Sequence, residues 1–286
     1  MASILIAGCG DVGCRLGLRL AAAGHQVWGL KRNPSTLPSA IHPLAADLSV
    51  ADSLTVMSRH YDYVFYTAAA GGFSEARYRA AYYDGVVNLL AALRIKPKRL
   101  LFTSSTSVYG QTNGAWVDET SPAESASFAG SILRQAEQFI WNGPCAATVV
   151  RFAGIYGPGR TRLIDSVRNR TAHYVEGVYG NRIHSDDCAA VLAHIMTLAQ
   201  PEPLYIGVDD APVLQSEVLA WLAKRLSVPA PTQTEAADTL ESRQRSNKRC
   251  RNTRLKASGF NFHYPSYREG YAELLTTLQK ALPEKS

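Results

Sequence analysis

A glycine-rich segment near the amino terminus has the residue types and spacing that bind a diphosphate. Its residues are Gly8, Cys9, Gly10, Asp11, Val12 and Gly13, directly after the apolar run Ser3–Ala7. In this G-x-G-x-x-G pattern the first glycine permits a tight turn, the second lets a pyrophosphate approach the backbone, and the third lets helix and strand pack closely. The following helix would offer free N–H groups. We predict that these six residues bind a dinucleotide; a plain glycine turn is the alternative.

Two basic residues follow the predicted second strand. Lys31 and Arg32 follow the apolar residues 27–30. An acidic residue at this point would bind the ribose 2′-hydroxyl of NAD, whereas cations suit the 2′-phosphate of NADP. We therefore predict NADP, with NAD as the alternative, and favour Arg32 because a guanidinium binds phosphate bidentately. Solvated charges at a strand end are the other interpretation. After the third strand, Asp47 and Leu48 are predicted to border the adenine.

Five further segments carry motifs of a known family. They are Thr67-Ala68-Ala69-Ala70 and residues 103–110, 151–159, 181–187 and 204–207. Together with the turn, their order and spacing over nearly the whole chain resemble the short-chain dehydrogenase/reductase superfamily. The resemblance is to its extended and atypical branch of NAD(P)-dependent epimerase/dehydratase proteins. One departure is that the extended branch usually has G-x-x-G-x-x-G, and its first glycine corresponds to Ala7 here.

The resemblance implies roles for individual residues. Ala68, Ala69 and Ala70 would contact the cofactor. Ser105 matches the catalytic serine or threonine of the family, whose hydroxyl hydrogen-bonds a substrate oxygen, and Ser107 matches a second polar position facing the substrate. Hydroxyls at the C-terminal end of a parallel strand do face the ligand crevice. A serine-rich turn that caps the fifth strand is the alternative.

The Tyr-x-x-x-Lys pair that transfers protons in this family is missing. None of the 14 tyrosines has a lysine four residues later, and no lysine lies between Lys98 and Lys224. Alignment on Glu137 puts Ala129 and Leu133 at the two positions of the pair. Because such a proton shuttle contributes about 10²–10⁴-fold in rate, the usual route of dehydrogenation needs a replacement group.

Four residues are candidates for that replacement, and none is favoured. They are Ser127, Ser131, Tyr156 and His184. A serine hydroxyl without an adjacent base is a poor acid, and His184 directly precedes a predicted helix start, where a structural hydrogen bond is the better interpretation.

The elements that must position these residues alternate along the chain. Strand-like runs lie at residues 3–7, 27–30, 62–66, 100–103 and 146–150, and helical patterns at 12–23, 75–94 and 132–141. This alternation predicts an α/β fold with a doubly wound parallel sheet, the Rossmann fold. We predict an NADP-binding Rossmann domain over residues 1–155, to which residues 181–200 return. A smaller C-terminal α/β substrate lobe would comprise residues 156–180 and 201–286.

Composition excludes a disordered, a collagenous or a coiled-coil protein. The 286 residues are 46% hydrophobic and 19% charged, which is typical of a globular chain. Five cysteines without C-x-x-C spacing indicate neither a disulfide framework nor a zinc site, so we predict no metal and a cytoplasmic location. We find no signal-peptide pattern, and no run of about 20 apolar residues that would predict a membrane span.

The net charge of +6 arises from one basic segment. Residues 243–256 contain seven of the 30 basic residues and no acidic one. Because no aromatic residue is interleaved there, we do not expect a nucleic-acid partner. An anionic small molecule or plain solvent is the expected neighbour of this segment.

Two functions follow from these patterns. The first is an NAD(P)-binding oxidoreductase, similar to the epimerases and dehydratases, acting on a small-molecule substrate such as a nucleotide sugar, the commonest class in the family. The alternative is a catalytically inactive module that senses NADP(H), and the missing tyrosine and lysine motivate it. We expect no membrane partner and leave a homodimer open.

Overall fold

The computed structural model describes residues 1–234 and 247–280. Its strands are β1 (Ser3–Ala7), β2 (Gln26–Lys31), β3 (His42–Ala45), β4 (Tyr63–Tyr66), β5 (Arg99–Ser105), β6 (Ala115–Val117), β7 (Ala147–Phe152), β8 (Gly154–Tyr156), β9 (His173–Tyr174), β10 (Tyr179–Gly180), β11 (Arg182–His184), β12 (Leu204–Gly207), β13 (Val213–Leu214), β14 (Thr232–Gln233) and β15 (Lys248–Cys250). Its α-helices are α1 (Asp11–Ala22), α2 (Glu75–Tyr78), α3 (Gly85–Ala92), α4 (Phe128–Trp141), α5 (Arg162–Arg168), α6 (Ser185–Thr197), α7 (Gln215–Leu226), α8 (Thr253–Ala257) and α9 (Tyr267–Lys280).

A seven-stranded sheet forms the centre of the first of two compact units, which comprises residues 1–110, 122–152 and 188–206. The strand order is β12-β7-β5-β4-β1-β2-β3, and the pairings from β3 through β7 are parallel. Helix α1 packs on β1 and β2, and α4 packs on β5 and β7. This confirms the predicted doubly wound Rossmann-type sheet. The strand order reverses between β1 and β4, which is the point where such sheets bind ligands.

Apolar runs explain why the central strands form. In β1, Ile4, Leu5 and Ile6 have no exposed surface, as expected for a parallel strand that is covered on both faces. Residues 75–94, predicted as one helix, contain a π-helical turn at Arg79–Asp84 between α2 and α3, and α3 ends at Ala92. No helix in residues 1–234 and 247–280 is long and apolar enough to cross a membrane.

The second unit comprises residues 111–121, 153–187 and those after 206. It contains the two-stranded sheets β10-β13, β8-β11, β9-β14 and β6-β15. Its own core contains Ile164, Leu219, Leu222, Tyr156 and Tyr271. Residues 111–121, 153–155 and 181–187 lie in this unit, whereas we predicted them in the Rossmann domain; pairing of β6 with β15 holds the first of these segments here. Residues 201–206, which include most of β12, lie in the first unit and not in the predicted lobe.

Candidate functional site

The glycine turn is anchored to the end of the neighbouring strand. The N–H groups of Gly8 and Cys9 both donate to the carbonyl of Leu30, at 2.9 and 3.0 Å. The Gly10 N–H donates to the Gly8 carbonyl at 2.7 Å, and Gly8 has φ +85°, a conformation that favours glycine. The turn therefore has a defined shape and lies beside the residues that follow Leu30.

The three glycines have different surroundings. A Cβ on Gly8 would lie 2.4 Å from the backbone of Ala68, and one on Gly13 would lie 2.9 Å from the Thr67 hydroxyl. A Cβ on Gly10 would meet only the Gly8 carbonyl oxygen, at 3.9 Å, among the described atoms outside its chain neighbours. Gly8 and Gly13 thus allow close packing, whereas Gly10 leaves open space on the outer side of the turn.

Helix α1 begins directly after this open space. Its N-cap, Gly10, has no side chain to satisfy the N–H groups of the first turn, which have no partners within a helix. The Asp11 carboxylate accepts a hydrogen bond from Arg15 Nε at 2.8 Å, which offsets its negative charge. Val12 is 8% exposed and packs inward. This helix start has the donors and the dipole direction to bind an anion.

Lys31 and Arg32 lie at the C-terminal end of β2. The Lys31 ammonium donates to the Thr36 hydroxyl at 3.3 Å, and Arg32 is exposed. Hydrogen bonds from Ser49 hold the pKa of Asp47 below its ordinary value, and the charge of Arg32 lowers it further. Both cations therefore stand at the sheet edge beside the turn, with Arg32 within the electrostatic range of Asp47.

Asp47 and Leu48 follow β3. Their backbone is fixed, because Ser53 donates to the Asp47 carbonyl at 2.7 Å and Asn88 donates to the Leu48 carbonyl at 3.0 Å. The Leu48 side chain packs into the hydrophobic core. Their predicted contact with adenine stays a prediction, and the orientation of Leu48 leaves its backbone as the group that could make it.

The segment after β4 forms the other wall of the turn. The Thr67 hydroxyl donates to the Gly8 carbonyl at 3.0 Å, and the Thr67 N–H donates to the Ala7 carbonyl at 2.8 Å. Ala68 abuts Gly8, Ala69 is exposed, and the Ala70 N–H donates to the Tyr82 hydroxyl. Burial raises the pKa of Tyr82. Tyr82 was not predicted at this wall, because nothing in the sequence indicates which face of the predicted 75–94 helix carries it toward Ala70.

Ser105 is the last residue of β5, and its side chain also caps the short 3₁₀ turn Thr106–Val108. Its hydroxyl oxygen accepts the Ser107 N–H at 3.1 Å. Ser105 and Ser107 are both half-buried, whereas Ser104, Thr106 and Val108 between and beside them are buried. The two predicted serines are therefore both partly exposed at the strand end, and Ser105 also has the capping role that was the alternative.

Helix α4 packs against this strand end without polar groups at the two aligned positions. Ala129 is 4% exposed and Leu133 is 1% exposed. A Cβ on Gly130 would lie 2.7 Å from the Ser107 carbonyl oxygen. Ser127 is the N-cap of the helix, and its hydroxyl accepts the Gly130 N–H at 3.1 Å. The helix thus offers apolar side chains at the two positions that alignment on Glu137 gives to the pair.

A buried ion pair, absent from the sequence prediction, supports the same region. Arg151 on β7 donates to both carboxylate oxygens of Glu137 on α4, at 2.9 and 2.7 Å, and both side chains are at most 2% exposed. Ser104 on β5 donates to Glu137 at 2.7 Å, and Arg134 donates to it at the same distance. The network joins three elements directly behind the strand end that carries Ser105.

In the second unit, two of the candidate proton donors are held by structural contacts. His184 is 2% exposed, and its Nδ1 accepts the Asp186 N–H at 3.2 Å. The Tyr156 hydroxyl donates to the Ser266 carbonyl at 3.3 Å, and burial raises its pKa. His184 therefore has the kind of structural hydrogen bond expected from the sequence, and Tyr156 is a poor acid in this packing.

The basic segment is described from residue 247 onward; residues 243–246 lie outside the described residues. Arg249 lies over the rings of Trp116 and Tyr179, with centroid distances of 4.8 and 4.7 Å, and Arg251 lies over Trp116 at 5.0 Å. Aromatic residues from elsewhere in the second unit therefore join the segment, which its own sequence could not indicate. In the described part of the chain no group of three His, Cys, Asp or Glu residues is arranged to bind a metal.

Comparison with known proteins gives consistent matches. Residues 4–207 match the NAD dependent epimerase/dehydratase family. The structure of a Methylobacillus flagellatus protein, assigned to the NAD-dependent epimerases/dehydratases, is 35% identical, has a TM-score of 0.82, and covers 97% of this chain and 99% of its own. Protein YeeZ of Escherichia coli K12 is 26% identical over 281 residues, which is 93% of this chain and 97% of YeeZ.

A more distant structure shares the fold. MoeE5, solved in complex with UDP-glucose and NAD, is 20% identical, with a TM-score of 0.80 over 98% of this chain and 99% of that chain. At this identity the likeness concerns the fold alone.

Proposed function

The chain belongs to the NAD-dependent epimerase/dehydratase family, and from that premise we propose that residues 8–13 bind the pyrophosphate of a nicotinamide dinucleotide. The observation that carries this proposal is the contrast among the glycines. Gly8 and Gly13 are packed against the residues after β4, whereas the space outside Gly10 is open at the start of α1. Such a turn at the reversal of strand order, with helix N–H groups behind it, is the arrangement that binds dinucleotides.

The cofactor is NADP in preference to NAD. Lys31 and Arg32 lie where the adenosine ribose would lie beside the turn, and an exposed guanidinium can bind a 2′-phosphate bidentately. Asp47 supplies the nearby carboxylate, and Ser49 donates two hydrogen bonds to its Oδ1, at 2.9 and 2.7 Å, which hold this side chain in its own turn. Cations thus dominate this end of the site.

The substrate side of the site is formed by the end of β5. Ser105 accepts the Ser107 N–H and retains its own hydroxyl proton to donate to a substrate oxygen. The Ser107 hydroxyl supplies a second polar group at the same strand end. When bound, the dinucleotide supplies hydride exchange, and the two serines orient the carbon that exchanges it. Glu137 and Arg151 hold the strand behind them.

The substrate class we propose is a nucleotide sugar or a similarly polar compound. The hydroxyls of Ser105 and Ser107 are suited to a polyhydroxylated substrate, and MoeE5, which shares the fold, binds UDP-glucose. The reaction class is that of the family, an oxidoreductive epimerase- or dehydratase-type reaction with a rearranged proton donor.

A second candidate function is a catalytically inactive module that binds and senses NADP(H). The buried, apolar Ala129 and Leu133 favour it, because neither side chain can hold or transfer a proton. Loss of the proton donor costs about 3–5 kcal/mol of transition-state stabilisation, so binding would survive where turnover does not.

Turnover measurements on a substitution at Ser105 separate the two functions. Conversion of a panel of nucleotide sugars in the presence of NADP⁺ is followed by chromatography of the products, because an epimerase- or dehydratase-type reaction regenerates its cofactor and leaves no net change in NADPH. The wild type is compared with Ser105→Ala and with Ser58→Ala, a control at an exposed serine. The enzyme proposal expects turnover that Ser105→Ala lowers about 10²-fold or more, with NADPH affinity retained. Tight NADPH binding without turnover on any substrate of the panel would favour the sensor.

A further inference from the structure

Two thiols lie against each other within the glycine turn. The sulfurs of Cys9 and Cys14 are 3.9 Å apart, and Cys14 Sγ also approaches the Cys9 carbonyl oxygen at 3.5 Å. Cys9 has no exposed surface, whereas Cys14, in the first turn of α1, is half-buried. The proposed dinucleotide site therefore contains a reduced cysteine pair of which one member is within reach of solutes.

Surrounding contacts hold the two sulfurs near each other. A Cβ on Gly29 would lie 2.9 Å from Cys9 Sγ, so the Cys9 side chain is packed over β2 with little room to turn away. The Cys14 N–H donates to the Gly10 carbonyl at 2.8 Å, which fixes the start of the helix. A disulfide needs its sulfurs about 2 Å apart, so the pair must approach by a further 2 Å or so.

We propose that Cys9 and Cys14 are a redox-modification site, and that their oxidation to an intramolecular disulfide weakens dinucleotide binding at the turn. The oxidant is a hydroperoxide, the class of small oxidant that reacts with accessible thiolates. The effect on affinity rests on the proposed function, whereas formation of the disulfide does not.

The reaction balances in two steps. The Cys14 thiolate attacks the peroxide O–O bond, which breaks to give a Cys14 sulfenic acid and, after protonation of the leaving oxygen, water. The Cys9 sulfur then attacks the Cys14 sulfur, forming the S–S bond and releasing the sulfenic oxygen as a second water. Burial, and next the neighbouring Cys14, raises the pKa of Cys9 to about 12. The second step therefore accelerates with rising pH as the Cys9 thiolate becomes more abundant.

Drawing the sulfurs together must move the turn that contains Cys9. Its backbone is tied to Leu30 by two N–H groups, and Gly8 beside it already abuts Ala68 with no space for a Cβ. We expect this displacement to change the positions of the groups around Gly10. Loss of one charge-assisted hydrogen bond to phosphate corresponds to about tenfold or more in affinity.

The test combines peptide mass with dinucleotide titration on the full chain. The protein is treated with hydrogen peroxide, its remaining thiols are alkylated, and trypsin releases Met1–Arg15, the peptide that contains both cysteines. We expect this peptide to lose two hydrogens and to take up no alkyl group. NADPH affinity should fall about tenfold or more and recover with dithiothreitol. Oxidation should be faster at pH 8.5 than at pH 7.

Two variants serve as matched comparisons. Cys14→Ser keeps a hydroxyl donor to the Cys9 carbonyl and should lose the response to peroxide, whereas Cys145→Ser, at a half-buried free cysteine, should keep it. Full alkylation of both thiols after peroxide, oxidation of Cys14 to sulfinic acid instead, or a disulfide with unchanged NADPH affinity would each overturn the proposal. A reduced wild type that binds no dinucleotide would refute the proposed function, while the peptide mass would still decide on the disulfide.

Discussion

Replacement of Gly10 by alanine should separate ligand binding from folding. Among the described atoms outside its chain neighbours, the added methyl group would meet only the Gly8 carbonyl oxygen, at 3.9 Å. Gly10 has φ −88° and ψ −147°, so its φ is negative as in most residues with side chains, and its ψ lies beyond the edge of the β region. The substitution therefore fills the space over the turn without disturbing the packing beneath it.

The expected magnitude follows from that geometry. The methyl group would keep the pyrophosphate from approaching the backbone, and loss of one charge-assisted hydrogen bond costs about 2 kcal/mol, or roughly 30-fold in Kd. The free energy of unfolding should change by no more than about 0.5 kcal/mol, because no buried contact is altered. Gly13→Ala would behave differently, since its Cβ would meet the Thr67 hydroxyl at 2.9 Å and strain the fold.

Calorimetric titration with NADPH and urea unfolding measure the two effects. Gly24→Ala is the matched control, because Gly24 has φ +83° and, among the described residues, nothing lies within 4 Å of its added Cβ. Backbone strain should cost this control about 1 kcal/mol of stability without changing NADPH affinity. If folded Gly10→Ala bound NADPH as tightly as the wild type, the dinucleotide could not lie over this turn.

Three further predictions concern other parts of the molecule. Arg32→Ser should weaken NADPH binding about 10–100-fold and leave NADH binding nearly unchanged in calorimetry; an equal loss for both would remove the basis for the NADP preference. Glu137→Gln should lower the free energy of unfolding by about 3–5 kcal/mol, because buried Arg151 loses its counter-charge; a change below about 1 kcal/mol in urea unfolding would contradict this. Burial raises the pKa of Asp209 to about 8, so the folded chain retains a proton that the unfolded chain releases near pH 4. Its contribution to stability is present below about pH 4 and is lost as the pH rises toward 8, and Asp209→Asn should flatten that slope in urea unfolding measured from pH 5 to 8; an unchanged slope would exclude Asp209 as the cause.

The glycine turn was predictable because its information is local. Gly8, Gly10 and Gly13 lie within one strand–turn–helix unit, and the spacing alone indicates which of them must pack and which must leave space. The alternation of apolar runs and helical patterns likewise predicts the parallel sheet, because each strand is covered on both faces.

The buried network of hydrogen bonds behind the serines was not predictable in the same way. Arg151, Glu137 and Ser104 come from three elements, and the sequence does not indicate that they meet in the core. In the sequence, Arg151 is distinguished only as the first residue of a motif. A charged residue in an apolar strand is a signal for a buried pair, but its partner is known only once the helix register is known.

Surface clusters that combine distant segments are unpredictable for the same reason, because the sequence does not indicate which segments meet. The basic segment contains no aromatic residue, yet Trp116 and Tyr179 lie against Arg249 in the second unit. Pairing of β15 with β6 brings Trp116 there, and that pairing spans more than a hundred residues of sequence.

A crystal structure of the full chain with NADPH tests the central claim most directly. It should show the pyrophosphate over Gly10 at the start of α1, and the 2′-phosphate about 3 Å from the Arg32 guanidinium. A dinucleotide bound elsewhere, or an adenosine ribose turned away from Lys31 and Arg32, would contradict the account.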